Sequence, residues 1–267
     1  MDWVQALLLG VLQGLTEFLP ISSTAHLRVV PHFLGWADPG AAFSAVIQLG
    51  TLAAVFVYFA AYVKRLCIAA FLSVRHRSFT HSDDARLAWS ILPGTVPIAV
   101  FGLGFKGFIE SGARDLRLIA AALIALALLL LVAELWSRRS RAMTDLSFGQ
   151  IQFIGLCQAL ALIPGCSRSG ATIMGGLVVG LRREDAARFS FILGLPAIGA
   201  SGLLQLYELA ERGMGTDGFV HLGIGIAAAA VSGYAAIRFL LRFLQRHGTY
   251  LFSAYRIILG GTIFISI

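Results

Sequence analysis

Gln13-Gly14-Leu15-Thr16-Glu17-Phe18-Leu19-Pro20-Ile21-Ser22-Ser23-Thr24-Ala25-His26 decides how this chain is read. The sequence on either side is apolar, yet this stretch holds a carboxylate, a proline, a run of hydroxyls and an imidazole. Ionisable groups at membrane depth cost about 2.5–3.5 kcal/mol each on insertion scales and mark sites by default. Pro20 removes a backbone donor and clashes with the preceding turn, so the sequence predicts one helix ending before it and another starting near Ser22. A second stretch answers the first: Leu162-Ile163-Pro164-Gly165-Cys166-Ser167-Arg168-Ser169-Gly170-Ala171-Thr172. It too has a proline break followed by hydroxyls, with Arg168 in place of the carboxylate. Broken helices at corresponding positions of two halves are the sequence signature of a membrane-embedded binding site.

Composition supports the membrane setting. The 267 residues are 58% hydrophobic and only 13% charged, against about 25% charged in an average soluble domain. The net charge of +7 does not indicate nucleic acid, because the arginines fall in short clusters between apolar runs, as the positive-inside rule produces. The start, Met1-Asp2-Trp3-Val4, has no basic region and no small-residue cleavage site after it, so no removable signal peptide is expected. Cys67, Cys157 and Cys166 have no metal-ligand spacing and read as apolar fillers.

Along the chain, residues 3–34 are too interrupted for each piece to cross a core that needs about 20 residues, so they predict a re-entrant helical hairpin. Uncharged windows follow at 41–61, 87–105 and 118–133, and, after the second interrupted segment at 150–181, at 189–207 and 219–237; a last window, 250–267, is apolar apart from Arg256. Dense basic clusters (Lys64 to Arg86, Arg138 to Arg141, Arg182 to Arg188, Arg238 to Arg246) share one side if six spans alternate, and that side should be cytoplasmic. The opposite connections are poorer: Lys106, Arg114 and Arg117 in one, Arg212 beside Glu208, Glu211 and Asp217 in the other. Phe43-Ser44-Ala45-Val46-Ile47 resembles Phe189-Ser190-Phe191-Ile192-Leu193, and Gln13-Gly14-Leu15 resembles Gln158-Ala159-Leu160, about 145 residues apart. The expected fold is therefore an all-α polytopic membrane protein of six transmembrane helices and two re-entrant hairpins. It forms one integral membrane domain built as an inverted-topology repeat, 1–145 and 146–267.

The chemistry is expected where the hairpin tips meet. Helix starts at Ser22-Ser23-Thr24 and Ser167-Arg168-Ser169 present unpaired amides and a positive dipole end to an anion, and Arg168 adds a planar fork suited to phosphate. The structural alternative is that the hydroxyls only cap helices. Glu17, four residues after Gln13 on one helix face, suits an oxygen-rich Mg2+ or Ca2+ site completed by substrate phosphates; otherwise it pairs with Arg168 or Arg28. His26 lies within a helical turn of Ser22 and Ser23, where it is placed as nucleophile or general acid/base, or as a hydrogen-bonded interior residue. His221 has no polar company and reads as structural.

Gln13 to His26 and Pro164 to Thr172 resemble the two signature motifs of the undecaprenyl-diphosphate phosphatase family, the bacterial bacitracin-resistance proteins, and the resemblance extends over the whole chain. It implies hydrolysis of the C55 isoprenoid diphosphate to the monophosphate carrier of peptidoglycan synthesis, in the bacterial inner membrane, with a divalent cation and with the site opening to the periplasm. The motif positions fall on Gln13, Glu17, Ser22, Ser23 and His26, and on Ser167, Arg168, Ser169 and Thr172; Thr24 is taken with the diphosphate-binding group. Relatives often carry Glu at the Gln13 position and an acidic residue at the Ser44 position, so metal binding here falls mainly to Glu17. Arg168, Ser167 and Thr172 would hold the diphosphate while Ser23, His26 or a water meets the terminal phosphorus. The oligomeric state, a homodimer included, is open. A transporter or flippase of a lipid phosphate is the alternative function, since broken helices meeting at mid-membrane are also transporter architecture; a carrier needs no nucleophile beside a hydroxyl cluster.

Overall fold

The structure, a computed structural model, describes residues 1–105, 107, 115–213 and 215–267. Lys106 and Arg114, counted above among the sparse basic residues of one connection, lie outside the described residues. Eleven α-helices are described: α1 (Trp3–Phe18), α2 (Ser23–Phe33), α3 (Gly40–Tyr58), α4 (Ala60–Arg75), α5 (Asp83–Gly104), α6 (Leu116–Trp136), α7 (Phe148–Gln158), α8 (Arg168–Val178), α9 (Arg183–Glu211), α10 (Thr216–Arg246) and α11 (Tyr250–Ser266). The described residues form no strand; the nearest approach to one is an isolated bridge between Arg141 and Leu181.

Five of these, α3, α5, α6, α9 and α10, are long and apolar enough to cross a membrane, so the chain is a multi-pass helical membrane protein. The sixth window forms α11, apolar but only 17 residues long. The connections differ from expectation. Lys64, Arg65 and Arg75 lie on α4, a 16-residue helix that continues from α3 across a break at Phe59. Arg183 and Arg188 begin α9, and Arg238, Arg242 and Arg246 extend α10 to 31 residues. Arginine is a good helix former, so these clusters prolong spans beyond their apolar windows.

The basic segments are bonded to one another. Arg65 pairs with Asp84 at 2.8 Å, Arg86 donates to the Thr144 carbonyl at 3.2 Å, and Arg139 and Arg183 both pair with Glu134, at 2.9 and 2.5 Å. Glu134 is fully buried at the end of α6 and also accepts from the amide and hydroxyl of Thr249. That satisfaction of every lone-pair direction is what permits a carboxylate there.

Glycines set the closest packing. α1 lies along α10, where a Cβ on Gly10 would come within 2.4 Å of the Gly225 carbonyl and one on Gly14 within 2.0 Å of Ser232 Oγ. α7 lies on α5 in the same manner, a Cβ on Gly155 meeting the Gly94 carbonyl at 2.1 Å. Between helices in lipid, where burial of apolar area drives little, such backbone approach supplies the packing energy.

Candidate active site

Both proline breaks fold in one way. α1 ends at Phe18, Leu19 turns extended, and Ser22 caps α2 by accepting from the Ala25 amide. In the second, a short 3-10 turn at Ala159–Leu162 follows α7, Gly165 takes φ 98°, and Ser167 caps α8 by accepting from Gly170 N at 3.1 Å. Ser22 and Ser167 have φ of 74° and 61°, a left-handed backbone that costs a non-glycine residue roughly 1–3 kcal/mol and persists where surroundings over-determine it. Each capping hydroxyl also meets the hydroxyl two residues on, Ser22 with Thr24 at 3.1 Å and Ser167 with Ser169 at 3.2 Å. The amides ahead of each cap contact, at the first helical positions, have no partner within their own helix.

The two breaks are tied face to face. Ser169 Oγ donates to the Leu19 carbonyl at 3.1 Å, the Gly165 amide donates to Thr24 Oγ1 at 3.5 Å, and Arg168 Nη2 donates to Glu17 Oε1 at 3.0 Å. Arg256 completes the joint. It is fully buried and donates to carbonyls of both breaks, Pro20 at 3.1 Å and Gly165 at 2.9 Å, and to Leu123 of α6 at 3.1 Å. No carboxylate faces it among the described residues. The sequence showed only an arginine in an apolar window, and backbone carbonyls leave no sequence mark by which such a partner could be found.

Glu17 is the hub. Its side chain is 4% exposed and that of Arg168 is 9% exposed. Oε1 takes Arg168, while Oε2 accepts from Ser23 Oγ at 2.7 Å and Gln13 Nε2 at 2.9 Å. Arg168 Nη1 also donates to the Ser190 carbonyl at 3.2 Å, and its Nε is buried without an acceptor. Gly194 of α9 makes room for this guanidinium, since a Cβ there would lie 1.7 Å from Nη1.

A cavity of about 590 Å³ opens on this group, within the usual range for small-molecule sites. Of the residues expected at the site, it brings together Glu17, Ser23, Thr24, Ser167 and Arg168, and adds Arg28, Gln48 and Gln205. Ser44 also lines it, donating to the Gly40 carbonyl at 2.9 Å. Ser22, Ser169, Thr172, His26 and Gln13 do not line it. Thr172 is buried behind Arg168, within 2.5 Å of the Ser190 hydroxyl. His26 faces the other way: Nδ1 lies 2.7 Å from the Ser22 carbonyl, which requires that nitrogen to donate, and Nε2 lies 2.7 Å from the Tyr255 hydroxyl. The remaining wall is apolar, and two of its residues, Leu103 and Leu204, are 70% and 42% exposed on the outer surface. The cavity therefore opens on the outer surface of the bundle.

As protein donors for a divalent cation, the site offers the Glu17 carboxylate and the Gln13 Oε1, which is buried without a partner. No group of three His, Cys, Asp or Glu side chains suited to a metal occurs among the described residues. A hard cation takes six or more oxygens; of these two donors only Glu17 lines the cavity, so the residues fit a cation held there mainly by Glu17, phosphate oxygens and waters.

The model of the family described as bacitracin resistance protein BacA matches residues 6–262. The chain is 50% identical to undecaprenyl-diphosphatase of Chlorobaculum tepidum over 97% of this chain and 95% of that protein. It is 49% identical to undecaprenyl-diphosphatase of Myxococcus xanthus over 97% of this chain and 87% of that one. With both proline breaks, their hydroxyls and Glu17 and Arg168 inside the matched span, the chain belongs to the bacitracin resistance protein BacA family.

Proposed function

We propose that the cavity on Glu17, Ser23 and Arg168 is where this chain carries out its reaction, the hydrolysis of undecaprenyl diphosphate to undecaprenyl phosphate and inorganic phosphate. One observation carries the assignment: Ser23 Oγ stands 2.7 Å from a carboxylate oxygen of Glu17 at the wall of a cavity that also holds Arg168. A serine donating to a base, beside a guanidinium with an idle N–H, is the minimum equipment for phosphoryl transfer.

In the proposed reaction, Ser23 Oγ bonds to the terminal phosphorus as its proton passes to Glu17. The bond from that phosphorus to the bridging oxygen breaks, and the lipid monophosphate leaves with the electron pair. Glu17 sheds the proton to solvent, then takes one from a water that attacks the phosphoserine; inorganic phosphate departs and the proton returns to Ser23. Arg168, Ser167 and the helix-start amides of α2 and α8 neutralise the phosphoryl oxygens. Thr24 binds beside them, while Ser22, Ser169 and Thr172 hold the two turns in shape. His26 orients the Ser22 carbonyl and Tyr255. A divalent cation, when bound with the diphosphate on Glu17, would supply further charge neutralisation. The apolar wall, open to the lipid face through Leu103 and Leu204, suits the polyprenyl chain.

The same reading assigns 1–145 and 146–267 as inverted repeats, with α1–α2 and α7–α8 as re-entrant hairpins and α11 as the sixth span. Its support is the reciprocal packing, α1 on α10 and α7 on α5, and the matching Ser22 and Ser167 geometry. The bonded basic segments would face the cytoplasm and the cavity the periplasm.

The test is Ser23→Ala assayed for phosphate release in detergent, where transport is impossible. A loss of at least a hundredfold in kcat is expected, together with a phosphoserine at position 23 in acid-quenched wild-type protein. Ser23→Ala turning over within threefold of wild type would refute the nucleophile assignment and return the attack to a water.

A further inference from the structure

Arg28 has no task in that scheme, yet it faces the same cavity. It stands one helical turn beyond Thr24 on α2, about 6 Å along the axis at roughly 1.5 Å per residue, and both side chains line the cavity with Arg168. Asp38, from the segment joining α2 to α3, opposes it, with Nε to Oδ2 at 3.4 Å and side chains 25% and 30% exposed. A well-formed arginine–carboxylate pair makes two parallel contacts at roughly 2.7–2.9 Å. This one is longer, and Arg28 Nε is buried and donates no hydrogen bond.

Arg168 is in the same condition, its Nε buried without an acceptor. Two guanidiniums with idle donors thus border one cavity, whose only lining carboxylate among the described residues, Glu17, is already occupied by Arg168, Ser23 and Gln13. The ligand that settles both must carry anionic oxygens at two neighbouring centres. The 3.4 Å contact is long and poorly aligned, with no hydrogen bond from Arg28 Nε, so Asp38 can yield its place to a phosphate.

We propose that Arg28 binds the chain-proximal phosphate of the substrate, the one that stays on the lipid after hydrolysis, and that Asp38 occupies it between turnovers. The proposal rests on the cavity being the active site and deepens that reading by giving the second phosphate its own ligand. Because this phosphate is present in substrate, transition state and product alike, Arg28 acts as uniform binding: it lowers KM and tightens the lipid monophosphate with little effect on kcat. Asp38 then works as an internal competitor that speeds product release.

Farnesyl diphosphate as substrate and farnesyl phosphate as inhibitor, with purified full-length protein in detergent, test this. Arg28→Gln is expected to raise both KM and the inhibitor Ki about tenfold with kcat within threefold of wild type. Asp38→Asn is expected to shift both constants the other way. Were the pair only a tie between α2 and the following segment, the two variants would behave alike; like effects, or an unchanged KM and Ki in Arg28→Gln, overturn the proposal. If Arg28→Gln folds poorly, Asp38→Asn decides alone, since an unchanged or raised KM refutes the competition. Arg168→Lys, run alongside, separates the two readings. A tenfold or greater loss of kcat/KM there with Arg28→Gln silent sinks only the Arg28 assignment, whereas no loss in either variant sinks the cavity as the active site.

Discussion

Gly194→Ala probes the active site without replacing any group that meets substrate. The added Cβ would sit 1.7 Å from Arg168 Nη1 and 2.5 Å from Cζ, where ordinary contact begins near 3.4 Å, so the guanidinium must move by well over an ångström. That displacement breaks the 3.0 Å bond to Glu17, the 3.2 Å bond to the Ser190 carbonyl, or both. A misplacement of about 1 Å in a positioning group costs on the order of a hundredfold in rate, about 2.7 kcal/mol of transition-state stabilisation. In a helix interior, alanine is about 1 kcal/mol better than glycine in propensity, so a loss of activity cannot be put down to a weakened α9. The assay is kcat/KM for phosphate release beside a thermal melt in the same detergent. Gly199→Ala is the control on the same helix, since its Cβ would meet only Leu52 Cδ2 at 3.6 Å, and it should stay within threefold of wild type. Full activity in Gly194→Ala would mean that the working guanidinium does not lie against α9, and the Glu17–Arg168 geometry would fail with it.

Two other expectations follow from the scaffold. Arg256→Met should lower the detergent melting temperature and cut activity through kcat, because carbonyls of both breaks lose their common donor and each buried polar group left unpaired costs about 1–3 kcal/mol; a melt and kcat equal to wild type would show that the breaks hold themselves. Single cysteines at Ser78 and Thr216, in a background without Cys67, Cys157 and Cys166, should label with an impermeant reagent only at Thr216, and equal labelling would refute the inverted-repeat topology.

What the sequence disclosed and what it concealed follow from the range of each interaction. Pro20 and Pro164 act on their own turns, so both breaks and the caps at Ser22 and Ser167 were legible. The apolar windows locate the helices, but the charged extension of α10 and the whole of α4 look like connections in sequence, because the positive-inside rule locates charge without telling a loop from a helix end. The cavity contacts are long-range. Glu17 and Arg168 are 151 residues apart, and their pairing was foreseen only as an alternative to metal binding. Arg256 and Gly194 carry no sequence mark of their roles, since one bonds to backbone and the other contributes an absence of atoms. His26 stands within a turn of the hydroxyls, as expected, but helix spacing does not say which way a ring points, and it points at Tyr255.

The crossed seating of α1 on α10 and α7 on α5 sets a schedule for synthesis. The first hairpin leaves the ribosome early, yet the surface that receives α1 belongs to residues 216–246, near the end of the chain. Glu17 must wait for Arg168 as well. At about 5–20 residues per second, that interval lasts roughly 8–30 seconds, during which a carboxylate destined for the interior has no guanidinium. It can take its place only when the second half arrives, so the assembly of this site is one of the last events in making the protein rather than one of the first.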